Sequence, residues 1–134
     1  MTTENYPAVI HCFRSPIGGL FRHVCDLVQG QAAQGMAVGI ICDSSTEDNR
    51  AKELFEELAP YCSLGIRRIP MSRTLSYSDI AVMREISGFC KAATPQILHG
   101  HGAKGGAYAR LVAGFVKSLA FSSIGFQICS NTLF

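Results

Sequence analysis

With 134 residues, 48% of them hydrophobic and 16% charged, the chain is long enough for one domain with a real core and too apolar to be intrinsically disordered. The formal net charge is +2, but residues 1–66 carry four Lys/Arg against eight Asp/Glu, whereas residues 67–134 carry eight against two. A basic second half suits a phosphate-bearing ligand or an anionic membrane surface. Nucleic-acid binding is not expected, because basic and aromatic residues are not interleaved on any segment.

Apolar runs and helical periodicities alternate along the chain. Short apolar runs predict strands at 8–13, 37–42, 64–69, 96–99 and 124–129. Apolar residues at helical spacing predict helices at 20–32, 51–58 and 77–93, and a further helix after the fourth strand with an apolar face made by Tyr108, Leu111, Val112, Phe115 and Leu119. Gly35 and Pro60 help to end the first two helices, and Ser76 with Asp79 makes a capping box for the third.

Single helices between successive strands predict an α/β fold with a parallel sheet covered on both faces. Right-handed crossovers make residues 1–134 one doubly wound, Rossmann-like domain of about five strands in the usual order 3-2-1-4-5. The winding then reverses between the first and fourth strands, which is where such sheets bind ligands. Both glycine-rich turns, Gly18-Gly19 and 100–106, are expected to border that crevice.

The cysteines and the chain start indicate a cytoplasmic protein. None of the six cysteines lies in a C-x-x-C pair and most lie in apolar stretches, so we expect buried, reduced thiols. No Lys or Arg precedes Arg14, which is not the pattern of a secretory signal. The apolar stretch 111–126 contains Lys117 and is too short to span a membrane, so any membrane association is expected to be peripheral, at the inner face.

The stretch "ILHGHGAKGGAYARL" (97–111) contains a literal G-x-G-x-x-G at Gly100, Gly102 and Gly105. A dinucleotide site requires this fingerprint after the first strand, with an acidic residue about 20 positions later. Here the fingerprint follows the fourth predicted strand, and no acidic residue lies downstream of it. Asp43, at the end of the second strand, is placed where a ribose-binding acid is expected, but the turn after the first strand is Gly18-Gly19 and lacks the spaced glycines. We therefore expect neither a nicotinamide nor a flavin cofactor. Two alternatives stay open: the glycines allow close helix–sheet packing, or the turns bind a phosphate or sugar.

The candidate binding residues gather at the two turns. A helix starting at Gly18-Gly19 presents free N–H groups and a partial positive charge that suit a phosphate. His23 lies one turn into that helix, and Lys104 lies in the first turn of the helix after the fourth strand. His99 and His101 share one face of a strand end and suit a ligand hydroxyl or phosphate. We expect no metal, because a third ligand is not evident, although His11 is an option.

Two segments together resemble the N-terminal domain of glycosyltransferase family 4, the retaining GT-B enzymes: "SPIGGLFRHVCDLVQGQAAQGMAVGIICD" and "ILHGHGAKGGAYARL". The first resembles that family's P-x-G-G-x-x-x-H-V start, with Met36 where a histidine is common. The second resembles its D-V-L-H-x-H strand end, with Gln96 where aspartate is frequent. The resemblance covers about residues 8–116.

The resemblance implies transfer of a sugar from a nucleotide-diphosphate-sugar to a glycan or lipid-linked acceptor, as in polysaccharide biosynthesis. By resemblance, Gly18 and Gly19 approach the donor diphosphate, and His101 contacts the donor sugar as the catalytic residue. His99, Lys104 and His23 are assigned by resemblance to the acceptor or sugar side. It implies no cofactor beyond the nucleotide-sugar substrate, and the oligomeric state is left open.

The chain also departs from the family. The family's second domain, which carries most donor contacts, has no counterpart in the 134 residues, and "FQICSNTLF" replaces the turn expected after the fifth strand. We therefore expect a truncated or frameshifted N-terminal half that is inactive alone. The alternative is a free-standing α/β nucleotide- or phosphate-binding module without transferase activity.

Overall fold

Four parallel strands form the sheet on which the described part of the chain is built. The computed structural model describes residues 6–46, 48–74 and 76–115. The strands are β1 (Val9–Cys12), β2 (Val38–Asp43), β3 (Gly65–Ile69) and β4 (Ile97–Gly100), in the order β3-β2-β1-β4. This order confirms the predicted Rossmann-like sheet and the reversal between β1 and β4. The fifth predicted strand, 124–129, lies outside the described residues.

Helices cover both faces of this sheet. They are α1 (Gly18–Ala33), α2 (Asn49–Leu58), α3 (Ser78–Ala93) and α4 (Gly102–Phe115), with a 3-10 turn at Ala59–Tyr61. The side chains of α1 and α2 pack on one face, and those of α3 and α4 pack on the other. This is the doubly wound arrangement that parallel strands joined by single right-handed crossovers produce.

The core consists of two apolar layers separated by the sheet. Alternate residues of β1 enter different layers: Val9 and Phe13, which directly follows β1, face α1 and α2, while Ile10 and Cys12 face α3 and α4. Because both faces of β1 and β2 are covered, every residue of these strands is buried. That double burial explains why they appear in the sequence as continuous apolar runs rather than alternating ones.

The ends of the helices follow local sequence signals, but one prediction about a helix face is wrong. Gly35 has a φ of +92° directly after the end of α1, as a glycine stop requires. The Asp79 carboxylate accepts the Ser76 N–H at 3.0 Å, which is one half of the predicted capping box. Leu111, predicted on the apolar face of α4, is 50% exposed, because this helix packs through Tyr108, Ala109 and Val112 instead.

The described ranges bear on two sequence-based expectations, the burial of the cysteines and the lack of a membrane-spanning segment. The five cysteines in these ranges are all buried thiols. The helices in these ranges lack the combination of length and apolar character that crossing a membrane requires.

Candidate functional site

The carboxyl ends of β1 and β4 bring the two glycine turns together. Cys12 and Gly100 are register partners in the β1–β4 ladder, and the His101 N–H donates to the Cys12 carbonyl at 2.8 Å. A Cβ added at Gly102 would lie 3.6 Å from the Leu20 side chain of α1. The start of α4 is therefore adjacent to the start of α1, as the fold prediction required.

The Gly18-Gly19 turn is open to solvent and has the backbone of a phosphate-binding helix start. Gly18 has a φ of +79°, a conformation that residues with a Cβ rarely adopt. Nothing lies within 4 Å of a Cβ added at Gly18 or Gly19. Ile17, the N-cap, contributes no side-chain hydrogen bond, and the first turn of α1 contains no acidic residue. The turn thus leaves backbone N–H groups and room for a ligand to approach them.

A cleft of about 390 Å³ borders this turn on the side of α2. Arg22 and Arg50 line it together with Asp26 and Asp48, so its lining includes both cationic and anionic side chains. The residues that line the cleft include no histidine. The cleft is therefore a different site from the one formed by the histidines, although both lie near the start of α1.

The glycines of the literal G-x-G-x-x-G serve packing and backbone conformation. A Cβ at Gly100 would lie 2.6 Å from the Gly105 carbonyl oxygen, and one at Gly105 would lie 2.8 Å from the Cα of Phe13. Gly102, between them, has a φ of +72°. Of the two alternatives left open by the sequence, the structure therefore favours close packing of α4 on β1 and β4 for Gly100 and Gly105.

All four histidines of the chain meet beside β1 and β4. The ring centroids of His99 and His101 lie 4.0 Å apart, which confirms that they share one face. His11 of β1 joins them, with its ring 5.3 Å from His99 and 5.1 Å from His101. The exposed His23 ring of α1 lies 6.1 Å from the His101 ring. His11, His99 and His101 are named the histidine cluster below.

Hydrogen bonds orient the histidine cluster. His11 Nδ1 lies 2.9 Å from His101 Nε2, and His11 Nε2 lies 2.7 Å from the Gln31 side-chain oxygen of α1. Because an amide oxygen only accepts, His11 carries its proton on Nε2 and presents a lone pair on Nδ1. His11 and His101 are fully buried, whereas His99 is partly exposed.

Burial keeps the two inner imidazoles neutral. It lowers the pKa of His11 to about 4, and the neighbouring His99 and His23 add to this while the Gln31 hydrogen bond opposes it. Burial, followed by the charges of the other three histidines, lowers the pKa of His101 to about 2. At neutral pH both rings are therefore hydrogen-bonding groups and potential metal ligands, not cations.

Lys104 points to α3 rather than to the histidine cluster. Its ammonium donates to Asp79 Oδ2 and to the Thr74 carbonyl, each at 2.9 Å, and the Tyr108 hydroxyl donates to the other Asp79 oxygen. Burial alone would raise the pKa of Asp79, but the bonds from Tyr108, Lys104 and Ser76 lower it. The assignment of Lys104 to the acceptor side stays a prediction, because in this structure the Lys104 ammonium forms an ion pair with Asp79.

Asp43 is a structural carboxylate in this fold. It is fully buried and accepts hydrogen bonds from Ser45, from Thr46 and from the Met71 N–H at 2.8 Å. Burial alone would raise its pKa, but the bonds from Thr46, Met71 and Ser45 outweigh that effect and lower the pKa to about 2. These bonds join the loop after β2 to the segment after β3, so the carboxylate is not directed at a ribose.

Sequence reasoning missed Gln31 and the Asp79–Tyr108 pair. Gln31 lies 20 positions after His11, on the neighbouring helix, and no local pattern marks it as a partner. Tyr108 and Asp79 were each assigned a local role, at a helix face and at a cap. The one available signal was that Asp79 and Lys104 each lie in the first turn of a helix, with Tyr108 one turn after Lys104.

Comparison with known proteins identifies the domain. The profile of the glycosyl transferase 4-like domain family matches residues 18–119, which begins at the glycine turn and includes the whole of β2, β3, β4 and α4. A comparison with curated protein sequences finds no significant match.

Proposed function

Because the chain belongs to the glycosyl transferase 4-like domain family, we propose that it is the N-terminal Rossmann-like half of a retaining GT-B glycosyltransferase that uses a nucleotide-diphosphate-sugar. The observation that carries this proposal is the position of the open Gly18-Gly19 turn beside the histidine cluster, at the β1–β4 reversal, within the matched region. Ligands of doubly wound sheets bind at that edge. The proposed reaction class is that of the family. At this edge of the sheet, the α1 N-terminus offers N–H groups for a diphosphate and the histidines offer hydrogen-bonding groups for a sugar.

The donor diphosphate is proposed to lie against Gly18 and Gly19. The free N–H groups and the partial positive charge of the α1 N-terminus favour an anion there, and the absent Cβ atoms allow close approach. The sugar then extends toward the histidines. His101 keeps its proposed role near the reaction centre, but its ring is fully buried and must become accessible to touch a sugar. His99 is partly exposed and His23 is exposed, and both are proposed to contact the sugar or acceptor hydroxyls directly.

The 134-residue chain is proposed to bind a donor weakly and to transfer no sugar on its own. An exposed helix N-terminus contributes only about 0.3–1 kcal/mol toward an anion. Transferase rates depend on preorganised charge in a desolvated cleft, and the open turn does not provide that environment. We expect binding in the millimolar range, which corresponds to about −4 kcal/mol.

Titration of the chain with UDP, GDP and ADP and with their sugar derivatives tests this proposal. Gly19→Val should abolish the binding, because its side chain would occupy the space of the phosphate, while its Cβ would have no neighbouring protein atom within 4 Å. Gly30→Val is the matched control, since Gly30 lies in the same helix, is equally open, and is remote from the turn. Gly18 is unsuitable for this test because its positive φ would add backbone strain.

Two outcomes would contradict the proposal. Binding that survives Gly19→Val would place the ligand elsewhere on the chain. Measurable sugar transfer by the purified 134-residue chain would refute the expected inactivity, although not the family. Nucleoside diphosphate binding with no preference for any sugar derivative would favour the alternative of a simple nucleotide-binding module.

The acceptor is proposed to be a glycan or a lipid-linked sugar, used in the cytoplasm at the inner face of the membrane. The excess of basic residues in 67–134 supports attraction to anionic lipid. Flotation with vesicles that contain anionic lipid should retain the chain at low salt and release it at high salt. Retention that does not depend on salt, or no retention at all, would remove this part of the proposal.

A further inference from the structure

From the geometry of the histidine cluster we propose that His11, His99 and His101 bind a divalent transition-metal ion, with Zn²⁺ as the best match. Each of the three rings offers one nitrogen, and these nitrogens all lie within 4.8 Å of one another. Three imidazole ligands with one open coordination position form a recognised class of zinc site. The inference stands on the described residues and does not depend on the proposed transferase function; since it uses His99 and His101, a bound ion and direct sugar contacts by these two rings would exclude each other.

The ligand set is assembled by tertiary structure, not by a local motif. His11 and His99 are register partners on the neighbouring strands β1 and β4, and His101 follows two residues later on the same face. The whole chain contains four histidines, and the fourth, His23, lies at the rim of the same cluster. The sequence analysis lacked an evident third ligand, and the β1–β4 register supplies it as His11.

The protonation and orientation of His11 suit a metal ligand. Its Nε2–H donates to the Gln31 oxygen, so the Nδ1 lone pair is directed at His101 Nε2. A metal-bound histidine characteristically donates its second ring N–H to an oxygen in this way, which fixes the tautomer and the ring orientation.

The distances require only small adjustments. Two nitrogens on one tetrahedral zinc ion lie roughly 3.4 Å apart, given a Zn–N bond of about 2.1 Å. His11 Nδ1 and His101 Nε2, now 2.9 Å apart, would separate slightly, and His99 would approach by rotation of its ring. The ion would take the place of the hydrogen that His101 Nε2 now shares with His11 Nδ1, and the His101 proton would reside on Nδ1. The partly exposed His99 lies where an ion would enter.

The selection of metal follows from the donors. Imidazole nitrogens suit Zn²⁺, Cu²⁺ and Ni²⁺, whereas Mg²⁺ and Ca²⁺ prefer oxygen ligands. No carboxylate belongs to the group of ligand atoms among the described residues. The site should therefore bind Zn²⁺ and related transition-metal ions and should not bind Mg²⁺.

The test is a calorimetric titration of the chelator-treated 134-residue chain with Zn²⁺, with Mg²⁺ as the comparison ion. We expect one equivalent of Zn²⁺ to bind and no heat from Mg²⁺. His99→Gln should weaken zinc binding by at least tenfold, while His23→Gln, the same substitution in the neighbouring ring outside the ligand set, should change it less than threefold. Co²⁺ should give the visible absorption of a four-coordinate site, and this absorption should be lost in His99→Gln only.

A second measurement uses the wild-type chain and does not require any variant to fold: NMR spectra of the histidine ring ¹⁵N nuclei with and without Zn²⁺. Zinc should shift the ring signals of His11, His99 and His101 and leave those of His23 close to their positions. Absence of stoichiometric zinc binding, equal losses in the two variants, or a shift confined to the exposed His23 would each overturn the proposal.

Discussion

At the scale of single residues, glycines with the same helical backbone have opposite surroundings. A Cβ at Gly105 of α4 would lie 2.8 Å from the Phe13 Cα, which belongs to the backbone and cannot rotate away. A Cβ at Gly88 of α3 would have nothing within 4 Å. The difference shows that Gly105 is required by packing, whereas Gly88 only adds flexibility to the unfolded chain.

Gly105→Ala should therefore destabilise the domain and Gly88→Ala should not. We expect a loss of about 1–3 kcal/mol of unfolding free energy for the former, because α4 must move off β1. We expect a gain of roughly 0.5–1 kcal/mol for the latter, because alanine restricts the unfolded chain and favours a helix. Urea unfolding followed by circular dichroism measures both. A Gly105→Ala variant as stable as the wild type would mean that α4 is not packed as described.

The Asp43 carboxylate makes the free energy of unfolding of the domain decrease at acid pH. Its pKa is lowered to about 2 in the folded state, against 3.8 for an unperturbed side chain. The folded state thus binds this proton less readily, so the stabilisation is fully present above pH 3.8 and is lost as the pH falls toward 2. A shift of this size corresponds to roughly 2 kcal/mol.

The comparison of wild type with Asp43→Asn isolates this contribution. The variant should be less stable at neutral pH, since an amide nitrogen cannot accept all the hydrogen bonds that the carboxylate accepts. The stability difference between the two proteins should narrow as the pH falls from about 4 to about 2. A constant difference across this range would show that the Asp43 pKa is not lowered by folding.

At the scale of elements, a buried polar network joins α3 to α4. Asp79 at the start of α3 receives the Lys104 ammonium and the Tyr108 hydroxyl of α4, and the side chains of the ion pair are each only 11% exposed. The Arg67–Glu85 pair, at 3.6 Å, is by contrast about half exposed on both sides. Burial should make the first pair far more important for the packing of its helices than the second.

Asp79→Ala should cost about 3 kcal/mol, because it leaves a buried ammonium without its anion. Glu85→Ala, the surface control, should cost less than about 1 kcal/mol. Adding Lys104→Met to Asp79→Ala should recover part of the loss, since it removes the unpaired charge. Thermal or urea unfolding of the four proteins provides the measurement. Similar losses for Asp79→Ala and Glu85→Ala would refute the buried network.

The elements themselves were predictable, whereas the pairings across them were not. The strands and helices follow from apolar periodicity, and the observed β1 to β4 differ from the predicted segments by about one residue at each end. His99 and His101 on one face follow from the same periodicity. The participation of His11 depends on the β1–β4 register, and the Asp79–Lys104 pair depends on how α3 and α4 pack, so neither is encoded by local spacing. The burial of Tyr108 against Asp79 likewise becomes apparent only in three dimensions.

At the scale of the whole molecule, the two central strands of the described sheet, β1 and β2, are enclosed far more completely than β3. β1 lies between β2 and β4 and is buried along its whole length, whereas β3 pairs with β2 and is mostly only partly buried. Amide groups in such a central strand exchange only when the domain opens globally, while those of a less buried strand exchange through local opening.

Hydrogen exchange should therefore be slowest in β1 and β2 and faster in β3. Mass spectrometry or NMR of the native chain in deuterated buffer gives the rates segment by segment. Addition of Zn²⁺ should slow exchange further around β1 and β4, where the proposed ligands lie, and leave β3 nearly unchanged. Faster exchange in β1 than in β3 would contradict the strand order, independently of any metal.

The close approach of α4 to β1 and β4 also limits how the gene for this domain can diverge. Every single-base substitution of a glycine codon that replaces glycine by another amino acid introduces a residue with a Cβ, and at Gly100 and Gly105 that atom collides with backbone or with the neighbouring helix. No neutral intermediate leads away from glycine at these two codons, whereas the codons for Gly30 and Gly88 are free to drift. In a randomly mutated library selected only for folded protein, codons 100 and 105 should stay glycine while codons 30 and 88 diversify. The same two positions would then indicate, in a distant descendant, whether the last described helix still docks on the sheet.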